Sequence, residues 1–230
     1  MTVRWIVRTV SEVCVTVGTL IVLFVVYLLF WTGVRADSAM DGEIGRLQDQ
    51  WSAGPVTAPA GRPTAPPTAR PRPYDPGRSF AVMYIPRLGS DWAKPVLQGT
   101  GTDVLQRGLG HYDRTARLGE TGNFAVAGHR RTYGDPFKDF PELRPGDAVV
   151  LTDGTTWFTY RIDNRPYTTL PDDIGVIDPV PQKSGYRGPG RYLTLTTCEP
   201  EWGHSHRLIA WAHLDSTQPV EQGRPSALPR

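Results

Sequence analysis

Cys198 is the residue of this chain best suited to covalent chemistry. It ends the run Tyr192–Cys198, whose composition predicts a strand, and the only other cysteine, Cys14, lies inside an apolar segment of membrane length. We therefore do not expect the two thiols to form a disulfide. A free thiol outside the membrane is either buried in a core or used as a nucleophile. A buried structural role for Cys198 stays open as the alternative.

Arg207 follows Cys198 in the sequence at a spacing that could bring its guanidinium next to the thiol. A short polar turn separates the strand that ends at Cys198 from an apolar run that begins near Arg207. If these two strands pair antiparallel, the end of the first lies beside the start of the second. A guanidinium in that place favours the thiolate and can donate hydrogen bonds to a developing oxyanion. An ordinary surface charge at a strand start is the alternative for Arg207.

A cysteine acyl-transfer site also needs a proton donor for the leaving amine, and histidine is the usual one. The chain has five histidines: His111, His129, His204, His206 and His213. Of these, His129 ends an apolar strand and follows Gly128, which predicts a side chain at the rim of a sheet. The other pattern of interest is the His-x-His pair near His213, but no carboxylate or cysteine spacing supports a metal site there.

The segments around these residues indicate a mainly β fold. Short runs rich in β-branched and aromatic residues alternate with Gly, Pro and Asp, and helical patterns are short and few. This composition predicts a closed barrel or a sandwich. The predicted strands are Phe80–Ile85, Lys94–Gln98, Asn123–Ala127, Ala148–Thr152, Thr156–Asn164, Tyr192–Thr197 and Arg207–Leu214.

The N-terminal part of the chain predicts a membrane anchor. Residues 13–34 carry no charge and are mostly Val, Leu, Ile and Phe. As a helix they span about 33 Å, enough for a bilayer core of roughly 30 Å. Arg4 and Arg8 precede the segment, which favours a cytoplasmic N-terminus over residues 1–12. A cleaved signal peptide is the alternative, although its apolar region is normally shorter, at about 7 to 15 residues.

The remaining boundaries follow from composition. Residues 35–78 form a juxtamembrane segment and a spacer with eight prolines between positions 55 and 76, which predicts an extended linker. Residues 79–217 are predicted to form one globular domain, and 218–230 are predicted to be a disordered tail. The net charge is only +2 at pH 7, with 25 basic and 23 acidic residues. The sequence therefore lacks the strong basic excess that is typical of nucleic-acid binding.

Three segments resemble the sortase family. Residues 194–198, TLTTC, resemble the TLxTC signature of sortases, and residues 122–130, GNFAVAGHR, resemble the family segment GN-x-x-x-x-GHR around its histidine. The order His, Cys, Arg also agrees. Together with the N-terminal anchor and the proline-rich spacer, the segment 83–89 is most similar to class E sortases of high-GC actinobacteria.

The resemblance implies an eight-stranded β-barrel that carries out cysteine transpeptidation. Cys198 would attack the Thr–Gly bond of a C-terminal LPxTG or LAxTG sorting signal on a secreted protein. His129 would protonate the leaving amine, Arg207 would stabilise the oxyanion, and an amine of a peptidoglycan precursor would resolve the thioester. Thr197 and Tyr84 would contact the substrate, the latter selecting alanine over proline. No metal or cofactor is implied, and the catalytic domain would lie outside the cell membrane.

Two other classes stay open at this point. An L,D-transpeptidase also places a histidine before a cysteine in a β-rich fold, but its motif is of the Gly-Cys-x-Arg type. Here Thr197 precedes the thiol and Arg207 lies well beyond it. A membrane-tethered β-module without activity is the second alternative, and in that case the thiol would be buried.

Overall fold

The computed structural model describes residues 2–54 and 73–229 as one long helix and a single sheet. The helices are α1 (Thr2–Ser52) and the short α2 (Thr102–Leu105). The strands are β1 (Ser79–Tyr84), β2 (Ala93–Gln98), β3 (Leu109–His111), β4 (Gly122–Ala127), β5 (Ala148–Thr152), β6 (Thr156–Ile162), β7 (Tyr167–Thr169), β8 (Arg191–Glu199) and β9 (His206–Pro219). All seven segments expected to be strands are strands.

Eight of these strands close into a barrel. Their order is β6-β5-β1-β2-β3-β4-β8-β9, and β6 pairs with β9 to complete the circle. β7 adds to the outer edge of β9, along its first half. Most pairs are antiparallel, but β2 with β3 and β4 with β8 are parallel. The fold class predicted from the sequence, an eight-stranded barrel with short helices and an N-terminal helix, is confirmed.

Alternation along the strands fills the barrel with apolar side chains. Successive residues of a strand face opposite sides of the sheet, and in β8 Leu193 and Leu195 face the interior while Thr194 and Thr196 face outward. In β1 Met83 faces the same interior core. The outward-facing threonines of β8 alternate toward Cys198 on the same side, so the thiol lies on the outer face near the end of this strand.

Helix α1 is longer than the sequence predicted. The predicted membrane segment covers residues 13–34, but α1 continues unbroken through the juxtamembrane segment and ends at Ser52. Within it, Arg4–Tyr27 is long and apolar enough to cross a membrane, and all of it is exposed. Beyond the apolar part, Ala36, Met40 and Leu47 are buried where α1 contacts β1 and β2. Most of the predicted proline-rich spacer, residues 55–72, lies outside the described residues.

The chain end differs from the predicted disordered tail. β9 continues to Pro219, and Leu228 is buried against Val150 and Trp157. The physical reason is that Trp157 presents an apolar ring on the outside of the barrel, and the returning tail covers it. Two strands were also missed, β3 and β7, each only three residues long.

Candidate functional site

Three adjacent strands bring His129, Cys198 and Arg207 to one edge of the barrel. β4 and β8 are parallel with Ala127 opposite Thr196, so His129, two residues beyond the end of β4, comes beside Cys198 in the last part of β8. On the other side of β8, Cys198 is directly opposite Arg207 of β9. Neighbouring strands lie about 4.8 Å apart. The thiol therefore lies between a histidine and a guanidinium.

Cys198 is half-buried and lines an open pocket. The pocket has a volume of about 210 Å³, and His129, His204, Glu201 and Trp202 also line it. Cys198 is a free thiol, and Cys14 is exposed on the apolar part of α1. The absence of a disulfide between the two agrees with the sequence prediction. A partly exposed thiol at a strand end is accessible to a substrate, unlike a core cysteine.

The partly buried environment of His129 suits a side chain that binds and releases a proton. Its Nε2 is buried and has no hydrogen-bond partner among the described residues. Partial burial lowers the pKa of His129 below its ordinary value, because desolvation disfavours the imidazolium. The ring lies 5.1 Å from that of Tyr133, centroid to centroid. An imidazolium here is a stronger acid than one in water, which suits proton transfer to a leaving amine.

Arg207 is held in place by the turn between β8 and β9. Its Nη1 donates hydrogen bonds to the carbonyl oxygens of His204 and His206, at 2.9 Å each. The planar guanidinium has five N–H donors in total. Two of its interactions therefore order the turn, while other donors remain for a group bound next to Cys198.

The structure does not bring the two predicted substrate contacts to the thiol. Thr197 is buried with its side chain on the barrel side of β8, and its hydroxyl donates to the carbonyl oxygen of Gly128 at 2.8 Å. Tyr84 faces outward from β1 and packs against Trp157, with ring centroids 5.8 Å apart. It borders a different cavity, between α1 and the barrel. Alternation explains both corrections, because Thr197 is one residue out of phase with Cys198 and β1 is not next to β8.

Two ion pairs that the sequence analysis missed connect the loops after β4 and β8. Arg130, next to His129, has its guanidinium buried and pairs with Glu199, next to Cys198. Its Nη1 also lies 3.5 Å from the carbonyl oxygen of Cys198. Arg131 pairs with Glu201 at 3.0 Å. The sequence held a signal for this arrangement, since two arginines follow the histidine and two glutamates closely follow the cysteine.

A second cavity continues the outer face of β8 beyond Cys198. Arg207 borders it together with Tyr112 and Thr196, whose hydroxyl groups are 3.1 Å apart. Two exposed apolar side chains, Leu170 and Ile174, lie at its rim. No pattern in the sequence indicated Leu170 or Ile174 as site residues. A groove with a polar floor, an apolar rim and a guanidinium at one end suits an extended peptide with an aliphatic side chain.

The histidine pattern considered for a metal does not come together. His204 lines the Cys198 pocket, whereas Nδ1 of His213 is 2.8 Å from a carboxylate oxygen of Asp163, on another part of the barrel. In residues 2–54 and 73–229, no three His, Cys, Asp or Glu side chains are grouped so that they could bind a metal ion.

Comparison with known proteins decides the family. A model of the sortase domain matches residues 83–215. The chain belongs to the sortase family. Sortase SrtE1 of Streptomyces coelicolor is 38% identical over 228 residues, which are 96% of this chain and 60% of that protein. This sortase thus spans less than two thirds of the length of that relative.

Solved structures agree with this assignment. Sortase E from Streptomyces avermitilis is 75% identical, with a TM-score of 0.65 over 68% of this chain and 100% of that one. Sortase E1 from Streptomyces coelicolor, solved with a tripeptide in its active site, is 39% identical with a TM-score of 0.64, over 68% and 99%. The predicted resemblance to class E sortases of actinobacteria is confirmed.

The sortase family is a family of cysteine transpeptidases. This favours that activity over the two alternatives, an L,D-transpeptidase and a β-module without activity. The half-buried Cys198 at an open pocket agrees with this conclusion, since a purely structural thiol needs no access from solvent.

Proposed function

We propose that this sortase cleaves C-terminal sorting signals of the LAxTG or LPxTG type between Thr and Gly, through a thioester on Cys198. The observation that supports this most directly is the row of His129, Cys198 and Arg207 on three adjacent strands. A nucleophile between a proton donor and an oxyanion donor is the arrangement that acyl transfer requires.

In the first half-reaction, the Cys198 thiolate attacks the carbonyl carbon of the threonine and forms a C–S bond. The carbonyl oxygen becomes an oxyanion, and Arg207 stabilises it with guanidinium N–H donors. The intermediate then expels the glycine nitrogen, which takes a proton from His129. The products are a thioester, a free glycine amine and a neutral imidazole.

In the second half-reaction, an amine attacks the thioester carbon. His129, now neutral, accepts a proton from that amine, and the C–S bond breaks to regenerate the thiolate. We propose an amine of a peptidoglycan precursor as the acceptor, so the secreted protein becomes attached to the cell wall. The histidine thus acts as an acid first and as a base second.

The cavity bordered by Tyr112, Thr196 and Arg207 is our proposed site for the sorting motif. Leu170 and Ile174, at the edge of this cavity, offer apolar surface to the leucine of the motif. The hydroxyl groups of Tyr112 and Thr196 can bond the peptide backbone. An alanine in the second position keeps its N–H for such a bond, whereas proline has none. We therefore expect LAxTG to be preferred.

We further propose that α1 anchors the enzyme in the cell membrane with its N-terminus in the cytoplasm. The fully exposed apolar stretch of α1 supports this, because such a surface is stable in lipid and costly in water. Arg4 and Arg8 at its start support the orientation. The barrel would then lie outside the membrane, with the secreted substrates.

The test is incubation of the full-length protein in detergent with LAxTG and LPxTG peptides and an added amine, followed by mass spectrometry. We expect cleavage between Thr and Gly, transfer to the amine and a transient adduct on Cys198. Cys198→Ala should abolish all three, while the matched variant Cys14→Ala should keep them. Cleavage by Cys198→Ala at the wild-type rate would refute the proposal.

A further inference from the structure

Helix α1 is fastened to the barrel where its apolar segment ends. In the sequence the uncharged segment ends at Val34, and three residues later Asp37 pairs with Lys94 of β2 at 3.4 Å. One turn and a half beyond, Glu43 is buried and pairs with Arg107 at 2.9 Å. Three residues of helix measure about 4.5 Å. The headgroup layer of one leaflet is about 5 to 7 Å thick, so the barrel next to Asp37 cannot stand clear of it.

The part of the barrel at this level is the loop that carries His129. A Cβ added to Gly134 would lie 2.6 Å from Oδ1 of Asp37, which shows how closely the loop approaches α1. One residue inside the apolar segment, Gly33 borders a cavity of about 460 Å³ together with Arg131, Tyr133 and Trp202. We call these last three residues the rim.

The chemistry of the rim is that of a membrane interface. The Trp202 side chain is 70% exposed, and Tyr133 is also exposed. The guanidinium carbon of Arg131 lies 4.4 Å from the centre of the Trp202 ring. Tryptophan and tyrosine are enriched at the headgroup level of bilayers, where an apolar ring with a polar edge is best solvated. An arginine at the same level can reach the lipid phosphates.

We propose that the rim lies in the headgroup layer of the membrane in which α1 is anchored. Arg131 and Trp202 border both the rim cavity and the pocket of Cys198. The catalytic pocket therefore opens at the membrane surface. This inference depends on the membrane anchor of the proposed function, but not on the proposed sorting motif.

The experiment locates single labels in the reconstituted protein. In the full chain with Cys14→Ala and Cys198→Ala, one cysteine is introduced as Trp202→Cys, Thr155→Cys or Val22→Cys, and it is labelled with an environment-sensitive fluorophore. Each protein is placed in lipid nanodiscs that carry a nitroxide quencher either on the headgroup or deep in the acyl chain. The readout is fluorescence loss, which requires no catalytic activity.

Thr155 is the matched control because it is exposed and follows Gly154, where the ring of Trp51 packs. Trp51 is 18 residues beyond Gly33 along α1, or about 27 Å. We expect headgroup nitroxides to quench the label at position 202 and to leave that at 155 unquenched. Thr132→Cys, in the same loop as Arg131, provides a second rim position and should also be quenched.

The outcomes separate this inference from the anchor. Acyl-chain nitroxides should quench the label at Val22→Cys. If they do, and the labels at positions 202 and 132 are as unquenched as the one at 155, the rim does not contact the membrane and the inference is overturned. If the label at position 22 is not quenched, the anchor and this inference both fall, whereas the peptide cleavage assay tests the transpeptidase separately.

Discussion

At the residue scale, Cys198 has a neighbour for each charge that develops in the reaction. His129 follows the parallel strand on one side, and Arg207 begins the antiparallel strand on the other. The sequence predicted the three residues and their roles. Of the two neighbours of Cys198, however, only the position of Arg207 was predicted from the spacing along the chain. Parallel partners are distant in sequence, so no turn spacing indicates them.

The two predicted substrate contacts, Thr197 and Tyr84, do not line the pocket of Cys198, for a related reason. A motif gives the order of residues, whereas the side of the sheet that each faces depends on the strand register. Thr197 is adjacent to the nucleophile in sequence yet faces the barrel interior and bonds the Gly128 carbonyl. That bond holds the loop before His129, so we interpret Thr197 as a positioning residue. Tyr84 covers Trp157 instead of a peptide.

Arg207→Lys should remain strongly impaired although it keeps the charge. The planar guanidinium of arginine can bond the turn and at the same time offer donors toward the thiol. The ammonium group of lysine lacks this fork and cannot do both. Loss of one oxyanion donor typically costs about 100- to 1,000-fold in kcat, and we expect that range in a peptide cleavage assay. Arg161→Lys, an exposed arginine paired with Asp215, is the control and should behave as wild type. A kcat for Arg207→Lys within threefold of wild type would show that a diffuse positive charge suffices.

His111 should make the barrel less stable in acid. It is 2% exposed, and burial lowers its pKa to about 4, although the hydrogen bond of its Nε2 to the Ala116 carbonyl acts in the opposite direction. Between pH 6.5 and 4 the unfolded chain binds this proton and the folded chain does not. The free energy of unfolding is therefore not reduced by His111 above pH 6.5. It falls as the pH is lowered toward 4, by about 3 kcal/mol in total.

Chemical denaturation at pH 7 and pH 4.5 measures this effect. His111→Gln should lose less stability between the two pH values than wild type, whatever its stability at pH 7. His206→Gln, at an exposed histidine, should keep the wild-type difference. Equal differences in all three proteins would show that other groups cause the acid sensitivity.

At the element scale, the loops after β4 and β8 act as one unit because two ion pairs join them. The Arg130–Glu199 pair is the more buried, with the arginine side chain 9% exposed, whereas the Arg131–Glu201 pair is partly exposed on both sides. A buried charge that loses its partner is costly, and an exposed pair contributes little. The first pair should therefore fix the relative positions of His129 and Cys198.

Glu199→Gln tests this role with little change in shape. The uncompensated Arg130 should shift, and since misplacement of reacting groups by about 1 Å can cost up to about 100-fold in rate, kcat should fall while KM changes less. Glu201→Gln is the matched control and should stay near wild type. Equal kcat values in the two variants would show that the buried pair has no part in positioning.

Strand alternation predicted most of the barrel, and its failures have identifiable causes. β3 and β7 are three residues long, too short for an alternating pattern to emerge. The tail from Gln218 looked polar and rich in proline, yet Leu228 packs against Trp157, and Val220 and Ala227 add to the same cluster. Such long-range contacts are set by the exposed face of the finished barrel, and local sequence does not indicate them.

At the scale of the whole molecule, α1 combines an exposed apolar stretch, which we propose as the anchor, with a polar portion that packs on the barrel. Its polar portion buries Met40 and Leu47, and its Trp51 ring packs over Gly154. The sequence predicted a membrane segment in the first part of this helix but did not indicate that the part beyond it docks on the barrel. Apolar positions on that part of α1 are few, and a buried carboxylate adds a polar contact to them.

Glu43 is that carboxylate, and its removal should loosen α1 from the barrel. It is 4% exposed, accepts a hydrogen bond from Ser79 at 2.9 Å and pairs with Arg107 at 2.9 Å. Glu43→Ala leaves these groups without their acceptor, so we expect a loss of about 1 to 3 kcal/mol in the free energy of unfolding. Asp49→Ala, at an exposed site of the same helix, should change it by less than about 0.5 kcal/mol.

Urea denaturation of the full chain in detergent, followed by tryptophan fluorescence, gives both values. Glu43→Gln distinguishes charge from hydrogen bonding, since the amide can still accept the Ser79 hydroxyl but cannot pair with Arg107. An intermediate loss for this variant is expected, because the ion pairs of Glu43 with Arg107 and Arg46 are removed while the hydrogen bond from Ser79 can remain. If Glu43→Ala were as stable as Asp49→Ala, the helix would not be docked through Glu43, and the level of the catalytic face above the membrane would no longer be fixed by this contact.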